Sequence, residues 1–474
     1  MANPSAPDWS NLGLDLHLEL ERQAGRGIRA TLETSLRDAI RSGRLRRGRR
    51  LPATRTLARD LGVSRGTVQE AYAQLAAEGW IAGRQGSGTI VAIDRPPDHG
   101  QPARPAPPRR WRHDLRPGRP DASSFPRQAW LRALKRALQA APGDVLSYAE
   151  PAGQLALRIE LAAYLARARG LRVTPADLLV TTGYTQGLGL VARALAEDGC
   201  VRVAFENPSM ALHREVVAAA GHALVPITVD DDGLRVDALD AAGDVRAVVL
   251  TPNRQHPTGA TLHPARRSRL LEWARARAAL IVEDDYDGEF RYDRQPLGPL
   301  QALDPDLVAY AGTTSKTLAP GLRLGWLALP ASYRARTLRQ KTLADSHTGA
   351  LEQLGLTEML RTHAYDRHVR AMRLRYQRRR DALLEAFKQR LPGLEVRGAA
   401  AGLNVLVPLA DVAAERTALS AARIHGVAIE GLATRGYFTG DGPAGLIVGY
   451  AAAPEHGYAA ALEALVTALE SALG

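Results

Sequence analysis

Lysine is nearly absent from this sequence. Of 62 basic residues in 474, only Lys135, Lys316, Lys341 and Lys388 are lysines, and the other 58 are arginines. Cysteine is scarcer still: a single Cys200 excludes an intramolecular disulfide framework and a cysteine-based zinc site, fits a reducing compartment, and reads as a small core residue. No run of about 18 apolar residues occurs, so no transmembrane helix is expected. The opening MANPSAPDWSNLGLDLHLEL lacks the basic start and apolar stretch of a signal peptide, and a cytoplasmic location is expected. Internal repeats are missing. No histidine or further carboxylate stands at ligand spacing from Asp284 and Asp285, so no metal site is expected.

What is present is unevenly placed. Residues 1–120 hold 21 Arg against 12 acidic residues, which accounts for +9 of the chain's net +12. A basic first quarter beside a nearly balanced remainder points to a polyanion-binding module joined to something else. The length calls for two to four domains. Three stretches are expected: a DNA-binding domain over 20–92, a Pro/Arg-rich linker over 93–112 without hydrophobic period, and a large domain over 113–474 whose last part, about 370–474, forms a small α+β subdomain.

Within the first stretch Ile28, Leu32, Leu36 and Ile40 recur at helical spacing up to Gly43. A short helix follows Pro52 with Leu57 and Leu61 on one face, and Ser64 is placed to cap a third helix that turns Val68, Tyr72 and Leu75 inward. The segment 80-WIAGRQGSGTIVA-92 then reads as a β-hairpin with a glycine-rich tip. Helix, turn, helix and two-stranded wing make a winged helix-turn-helix. Arg65, Thr67 and Gln69 near the start of the third helix would reach base edges or phosphates, with Arg55 and Ser64 beside them and Arg84 and Gly86 at the wing tip. Residues 41–92 resemble a GntR-type winged helix over their whole length. Double-stranded DNA is the expected partner, and a unit of this size reads one half-site, so a dimer on repeated half-sites is expected.

From about residue 113 short apolar runs alternate with helical segments: 177-DLLVTTG-183, 201-VRVAFENPS-209, 245-VRAVVLTP-252, 278-AALIVEDD-285 and 307-LVAYAGTTS-315. Such runs suggest an α/β domain with a buried, mainly parallel sheet, whose ligands bind beyond the carboxyl ends of the strands. The unusual polar residues Thr185, Asn207, Asn253, Asp284 and Lys316 fall there. In 311-AGTTSKTLAPGLRLGW-326 a chain that otherwise writes arginine writes lysine. A guanidinium stays protonated, whereas a buried amine can lose its proton and form a Schiff base with a carbonyl. Thr313, Ser315 and Arg323 around it suit a phosphate.

Ser315 and Lys316, followed by Pro320, Gly321 and Arg323, resemble the pyridoxal-phosphate lysine motif of fold-type-I aminotransferases. That resemblance implies pyridoxal 5'-phosphate on Lys316, Asp284 on the pyridine nitrogen, Tyr286 on the phenolic oxygen, and Gly183, Tyr184 and Thr185 binding the phosphate at a helix N-terminus. Asn253 joins this set. Tyr148, in 146-LSYAEPAG-153, matches the position from which a partner subunit's tyrosine touches the phosphate.

The winged helix, linker and aminotransferase-like domain together resemble the MocR/GabR subfamily of transcription regulators, to which 283-EDDYDGEFRYD-293 is especially similar. The resemblance implies a head-to-tail homodimer and an effector that is an amine, an amino acid or the vitamer itself. Three departures stand out. His256 occupies the place of the aminotransferase asparagine, with a charge expected to depend on pH. Ala452 replaces the arginine that clamps a substrate carboxylate. Met210 and Leu212 replace the tyrosine and arginine of the GABA-responsive type. Arg435 remains as a carboxylate partner for an effector. These departures count against transaminase turnover, and a working aminotransferase with an auxiliary winged helix is the alternative reading.

Overall fold

The computed structural model describes residues 27–84, 88–93, 111–292 and 297–473, Arg84 by its backbone alone. Gly86, residues 20–26 of the expected DNA-binding domain and residues 94–110 of the expected linker lie outside the described residues. The chain divides into two compact units at Arg109–Arg110.

The first unit contains α1 (Ile28–Arg41), α2 (Thr54–Asp60) and α3 (Arg65–Ala77), followed by the antiparallel hairpin β1 (Ile81–Arg84) and β2 (Gly88–Val91). The helical period of the sequence is used as read. Leu32, Leu36, Ile40, Leu57, Val68 and Leu75 are fully buried in one core, each contributing roughly 1.5–3 kcal/mol over leaving it exposed. Ile28 departs from that reading. It opens the helix and stays 41% exposed. Ser64 caps α3, its Oγ accepting the Thr67 N–H at 3.1 Å. Arg50 bridges Ile90 and extends the wing by one strand-like contact.

The second unit contains β3 (His113–Asp114), α4 (Arg127–Ala140), α5 (Leu155–Arg169), β4 (Leu178–Thr181), α6 (Tyr184–Glu197), β5 (Arg202–Asn207), α7 (Ala211–Ala219), β6 (Ala223–Asp230), β7 (Gly233–Leu234), α8 (Asp237–Asp240), β8 (Val245–Leu250), α9 (Pro264–Arg277), β9 (Leu280–Asp284), β10 (Val308–Thr313), β11 (Gly325–Ala328), α10 (Ala331–Asp345) and α11 (Ala350–Arg361). Its eight-stranded sheet runs β4-β11-β10-β9-β8-β5-β6-β7. The pairs β10–β9, β9–β8, β8–β5 and β5–β6 are parallel, while β11 is antiparallel to both neighbours and β7 to β6. Alternate side chains serve two faces, as strand geometry requires. Val249, Val282 and Ala311 pack against α6, α7 and α10, while Val248, Ile281 and Tyr310 pack on the opposite face. This is the buried, mainly parallel sheet expected of the apolar runs. Three strands were not visible among those runs. β6 contains Pro226 and buries only Ile227, because it lies next to the sheet edge. β7 and β11 have two and four residues.

The chain continues with α12 (Ala364–Arg390), β12 (Asn404–Pro408), α13 (Val412–Ile424), β13 (Val427–Ala428), β14 (Glu430–Gly431), β15 (Gly445–Gly449) and α14 (Tyr458–Leu473). Strands β12, β15 and β14 form a small antiparallel sheet. β3 pairs in parallel with β13, and the Gly449 N–H donates to Leu115 O at 2.8 Å. The start of the unit is thereby stitched to its last part, and residues 117–119 are delivered to the carboxyl edge of the large sheet. Among the described residues no helix is long and apolar enough to cross a membrane.

Candidate functional site

Along the carboxyl edge of the large sheet lies a cavity of about 670 Å³. Strand ends β9 and β10 bring Asp284 and Lys316 to it, and the helix start after β4 brings Tyr184 and Thr185. Tyr286, Thr313, Ser315, Arg323, His256 and Arg435 also line it. Residues separated by more than 250 positions thus meet in one space.

The Lys316 Nζ donates to Gly118 O at 2.6 Å. Burial pushes its pKa down, and the Asp284 carboxylate opposes that shift. The turn that carries it is pinned from two sides. Thr314 Oγ1 donates to Leu324 O at 3.0 Å, while on α12 the Tyr365 hydroxyl donates to Thr317 Oγ1 at 2.8 Å and the His368 ring lies 2.9 Å from Thr317 O. Burial holds the Asp284 carboxyl well above the usual range, with Lys316 opposing, and its Oδ1 is buried without a hydrogen-bond partner. An acid in that state costs free energy until a donor meets it.

A second cluster is built for an anion. Gly183, at φ +107°, ends the turn after β4 and opens α6, whose first N–H groups have no partner within the helix. A Cβ on Gly183 would lie 3.3 Å from the Arg323 guanidinium, so the residue must be small. Arg323 itself sits at φ +50°, a left-handed conformation that costs a non-glycine residue roughly 1 kcal/mol and is held here by the surrounding turn. Thr313 Oγ1 lies 2.9 Å from Ser315 Oγ. Among the described residues no carboxylate pairs with Arg323.

The Tyr286 hydroxyl lines the cavity and accepts from Arg254 Nη1 at 2.8 Å. His256 packs edge-on to Tyr286 and Tyr437 at 5.7 and 5.6 Å, and its Nδ1 has no partner. Burial, then the Arg254, Lys316 and His213 charges, push its pKa down to about 3. Burial thus favours the neutral imidazole in the folded chain.

Two expected residues stand elsewhere. Asn253 does not line the cavity: its amide donates to Asp285 Oδ1 and accepts from Arg267 Nη1, both at 3.1 Å, beneath the strand edge. Buried charges on both sides claim the side chain. Tyr148 is 96% exposed, with its ring edge-on to His347, and lies outside this chain's own cavity. Arg435 stands at the mouth, 66% exposed and 3.6 Å from Glu430, whose other oxygen accepts the Tyr437 hydroxyl at 2.9 Å.

The sequence reading missed several wall residues. Gly118 and Arg119 lie in 116-RPGRPD-121, a segment in which the sequence reading singled out no residue. His213, directly after Leu212, also lines the cavity and was not among the expected site residues. Glu206 accepts the Thr251 N–H at 3.0 Å and the Thr251 hydroxyl at 2.7 Å, and burial pushes its pKa up to about 7. Among the described residues no group of three His, Cys, Asp or Glu side chains is arranged to hold a metal ion.

On the first unit Arg55, Ser64, Arg65 and Gln69 are exposed and Thr67 half-buried. The Thr67 and Ser64 hydroxyls lie 2.8 Å apart, and among the described residues no carboxylate pairs with Arg55 or Arg65. The Arg84 side chain and Gly86 lie outside the described residues.

Residues 28–91 match the model of bacterial regulatory proteins of the gntR family, and residues 118–465 match aminotransferase class I and II. The chain is 33% identical over 399 residues to the HTH-type pyridoxine biosynthesis transcriptional regulator PdxR of Corynebacterium glutamicum, covering 83% of this chain and 86% of that one. It is 32% identical over 457 residues to the probable rhizopine catabolism regulatory protein MocR of Rhizobium meliloti, covering 92% of each. Among solved structures an archaeal alanine:glyoxylate aminotransferase superposes with a TM-score of 0.69 at 27% identity, over 77% of this chain and 92% of that one. The winged helix, the aminotransferase fold and regulators alike over nearly the whole length agree: the chain belongs to the MocR/GabR subfamily of GntR-type transcription regulators, in which a winged helix-turn-helix is fused to an aminotransferase-like domain.

Proposed function

We propose that this regulator holds pyridoxal 5'-phosphate through Lys316 and reads an amine, an amino acid or the vitamer itself, coupling the pocket's state to operator binding by a homodimer. The observation that carries this reading is the pairing, in one cavity, of a lysine whose proton is loosened by burial with a buried Asp284 Oδ1 that lacks a donor. The residues fit the group. Asp284 would meet the pyridine nitrogen, Tyr286 would donate to the phenolic oxygen, and Arg323, Ser315, Thr313 and the N-terminus of α6 would seat the phosphate. Bound there, pyridoxal phosphate supplies an electrophilic carbon and an electron-withdrawing ring. His256 stays neutral, and its ring fills the wall beside Tyr286 rather than adding charge.

Ala452, in place of a carboxylate-clamping arginine, favours sensing over turnover, because an amino acid without a bidentate anchor is poorly oriented for proton transfer. Arg435 at the mouth is the remaining partner for an effector carboxylate. Tyr148, exposed in its own chain, fits a role in a partner's pocket within a head-to-tail dimer. Arg55, Ser64, Arg65, Thr67, Gln69, Arg84 and Gly86 would contact a double-stranded operator with repeated half-sites in the cytoplasm.

The test is the visible absorbance of the purified protein with and without added pyridoxal phosphate, beside Lys316→Ala. A band in the wild type that the variant lacks is expected, and titrating amines against it identifies the effector class. No band in either protein overturns the cofactor reading. Steady keto-acid turnover without specific footprinting at modest salt overturns the sensor reading in favour of an enzyme.

A further inference from the structure

Lys316 is not the only lysine this arginine-rich chain keeps inside. Lys341, on α10, is fully buried. Its Nζ donates to Asp345 Oδ1 at 2.6 Å. Asp345 Oδ2 in turn accepts from Gln186 Nε2 at 2.6 Å, and Gln186 Oε1 accepts the backbone N–H of Thr182 at 2.8 Å. Three side chains from two helices therefore form one chain of hydrogen bonds. It ends on the residue before Gly183, in the turn that opens α6. Every polar atom in it has a defined direction. The ammonium fixes one carboxylate oxygen, the other fixes the amide, and the amide's remaining acceptor fixes the turn.

We infer that Lys341 is a positioning residue for the phosphate seat, holding the Thr182–Gly183 turn through Asp345 and Gln186 and neutralising the Asp345 carboxylate that anchors the relay. This rests on the cofactor reading above and extends it. A solvated lysine would do neither job, and an arginine would not replace it. The ammonium is a compact point charge on a thin stem, whereas a guanidinium is a wide planar fork that would not reproduce the single short link from the buried Lys341 to Asp345 Oδ1. Without Lys341, Asp345 would lose the partner that fixes its carboxylate, and the Gln186 amide would lose its fixed acceptor. Only ligands that carry a phosphate would register the loss. The aldehyde and ring contacts at Lys316, Asp284 and Tyr286 involve none of the three residues.

The experiment compares pyridoxal phosphate with pyridoxal, which lacks the phosphate, as probes of the full-length wild type, Lys341→Met and Gln186→Leu. Affinities are read from the visible absorbance of the bound form, with thermal unfolding of each protein alongside. Both variants are expected to bind pyridoxal phosphate about 10-fold more weakly while pyridoxal stays within about twofold, the loss of one charge-assisted link. Gln186 is half-buried on the first turn of α6, so its leucine variant keeps the readout available where Lys341→Met fails to fold. Equal losses for both probes, or no loss in either variant, overturn the inference. A wild type that forms no band with either probe overturns the cofactor reading itself, and this inference with it.

Discussion

Arg65 and Lys316 show how differently the two units of this chain carry polar chemistry. Arg65 stands exposed at the start of a 13-residue helix, close in sequence to Arg55, Ser64, Thr67 and Gln69. Lys316 meets its partners only because strand ends and loops from residue 118 to residue 437 converge on one cavity. The first unit keeps Arg55 and Arg65 in water, where an arginine costs little and meets a polyanion at long range. The second buries them. There Asp284 and Tyr286 are pushed well above their ordinary pKa values, Glu206 is raised to about 7 and His256 is lowered to about 3, mainly by burial in each case. A surface made for reading phosphates along a duplex tolerates substitution one contact at a time, whereas a buried constellation loses several interactions when one member goes.

Asp284→Ala tests the buried side most severely. On the proposed cofactor reading, removing the carboxyl would deprive a protonated ring nitrogen of its counter-charge in a buried site. The expected cost is about 3 kcal/mol, roughly 100-fold in pyridoxal phosphate affinity, measured by absorbance titration. Affinity for operator DNA without effector is expected to hold. A loss of less than threefold would mean that this carboxylate does not face the ring.

Arg65→Ala is the matched test on the exposed side. Loss of one base or phosphate contact is expected to cost about 2 kcal/mol in operator affinity at fixed salt, with an unchanged cofactor spectrum. Quantitative footprinting reads it, and a phosphate contact would also lower the salt slope. Ser64→Ala is smaller. It removes the cap on the Thr67 N–H and is expected to cost about 1 kcal/mol of stability in the winged helix. Calorimetry of the full chain should show that loss in one transition only. A shift in both transitions would break the separation drawn between the units.

Legibility in the sequence follows the same division. The three helices and wing were readable because each rests on local signals: a helical period at Leu32, Leu36 and Ile40, a capping Ser64, and a glycine-rich hairpin tip. The parallel strands were readable because burial on both faces writes continuous apolar runs. Strand β6, with Pro226 and one buried position, wrote none. In the pocket, residues within a motif around Lys316 and Asp284 could be named in advance. Gly118, Arg254 and Glu206 could not, since each acts through a partner more than 30 positions away, at Lys316, Tyr286 and Thr251. Asn253 was named because it ends a strand. Only the three-dimensional packing reveals that Arg267 and Asp285 bind it first.

The smallest expected effect concerns pH, and it separates two buried groups of opposite sign. Unfolded, His256 and His213 titrate near 6.5. Folded, burial brings them to about 3 and about 4. Below 6.5 the unfolded chain takes up protons that the folded chain refuses. The stability these residues contribute is therefore complete above 6.5 and drains away as pH falls toward 4 and then 3. Glu206 runs the other way. Its folded value of about 7 stands above the ordinary 4.5, so its contribution is full below 4.5 and is lost as pH rises through 7. Glu283 and Glu289, raised to about 7, and Asp287, raised to about 6, act in the same direction as Glu206, so between about pH 7 and about pH 5 carboxyls and histidines oppose one another, which a wild-type profile alone would hide. His256→Gln removes one titrating imidazole and leaves Glu206 in place. Its stability should drop less than the wild type's over that interval, by about 1 kcal/mol for a group at the cavity wall. Urea unfolding at the two pH values measures it. An identical drop in both proteins would mean that water in the cavity solvates His256 well enough for it to titrate as it does on a surface, and the contrast between the dry pocket and the wet winged helix would then be smaller than the geometry implies.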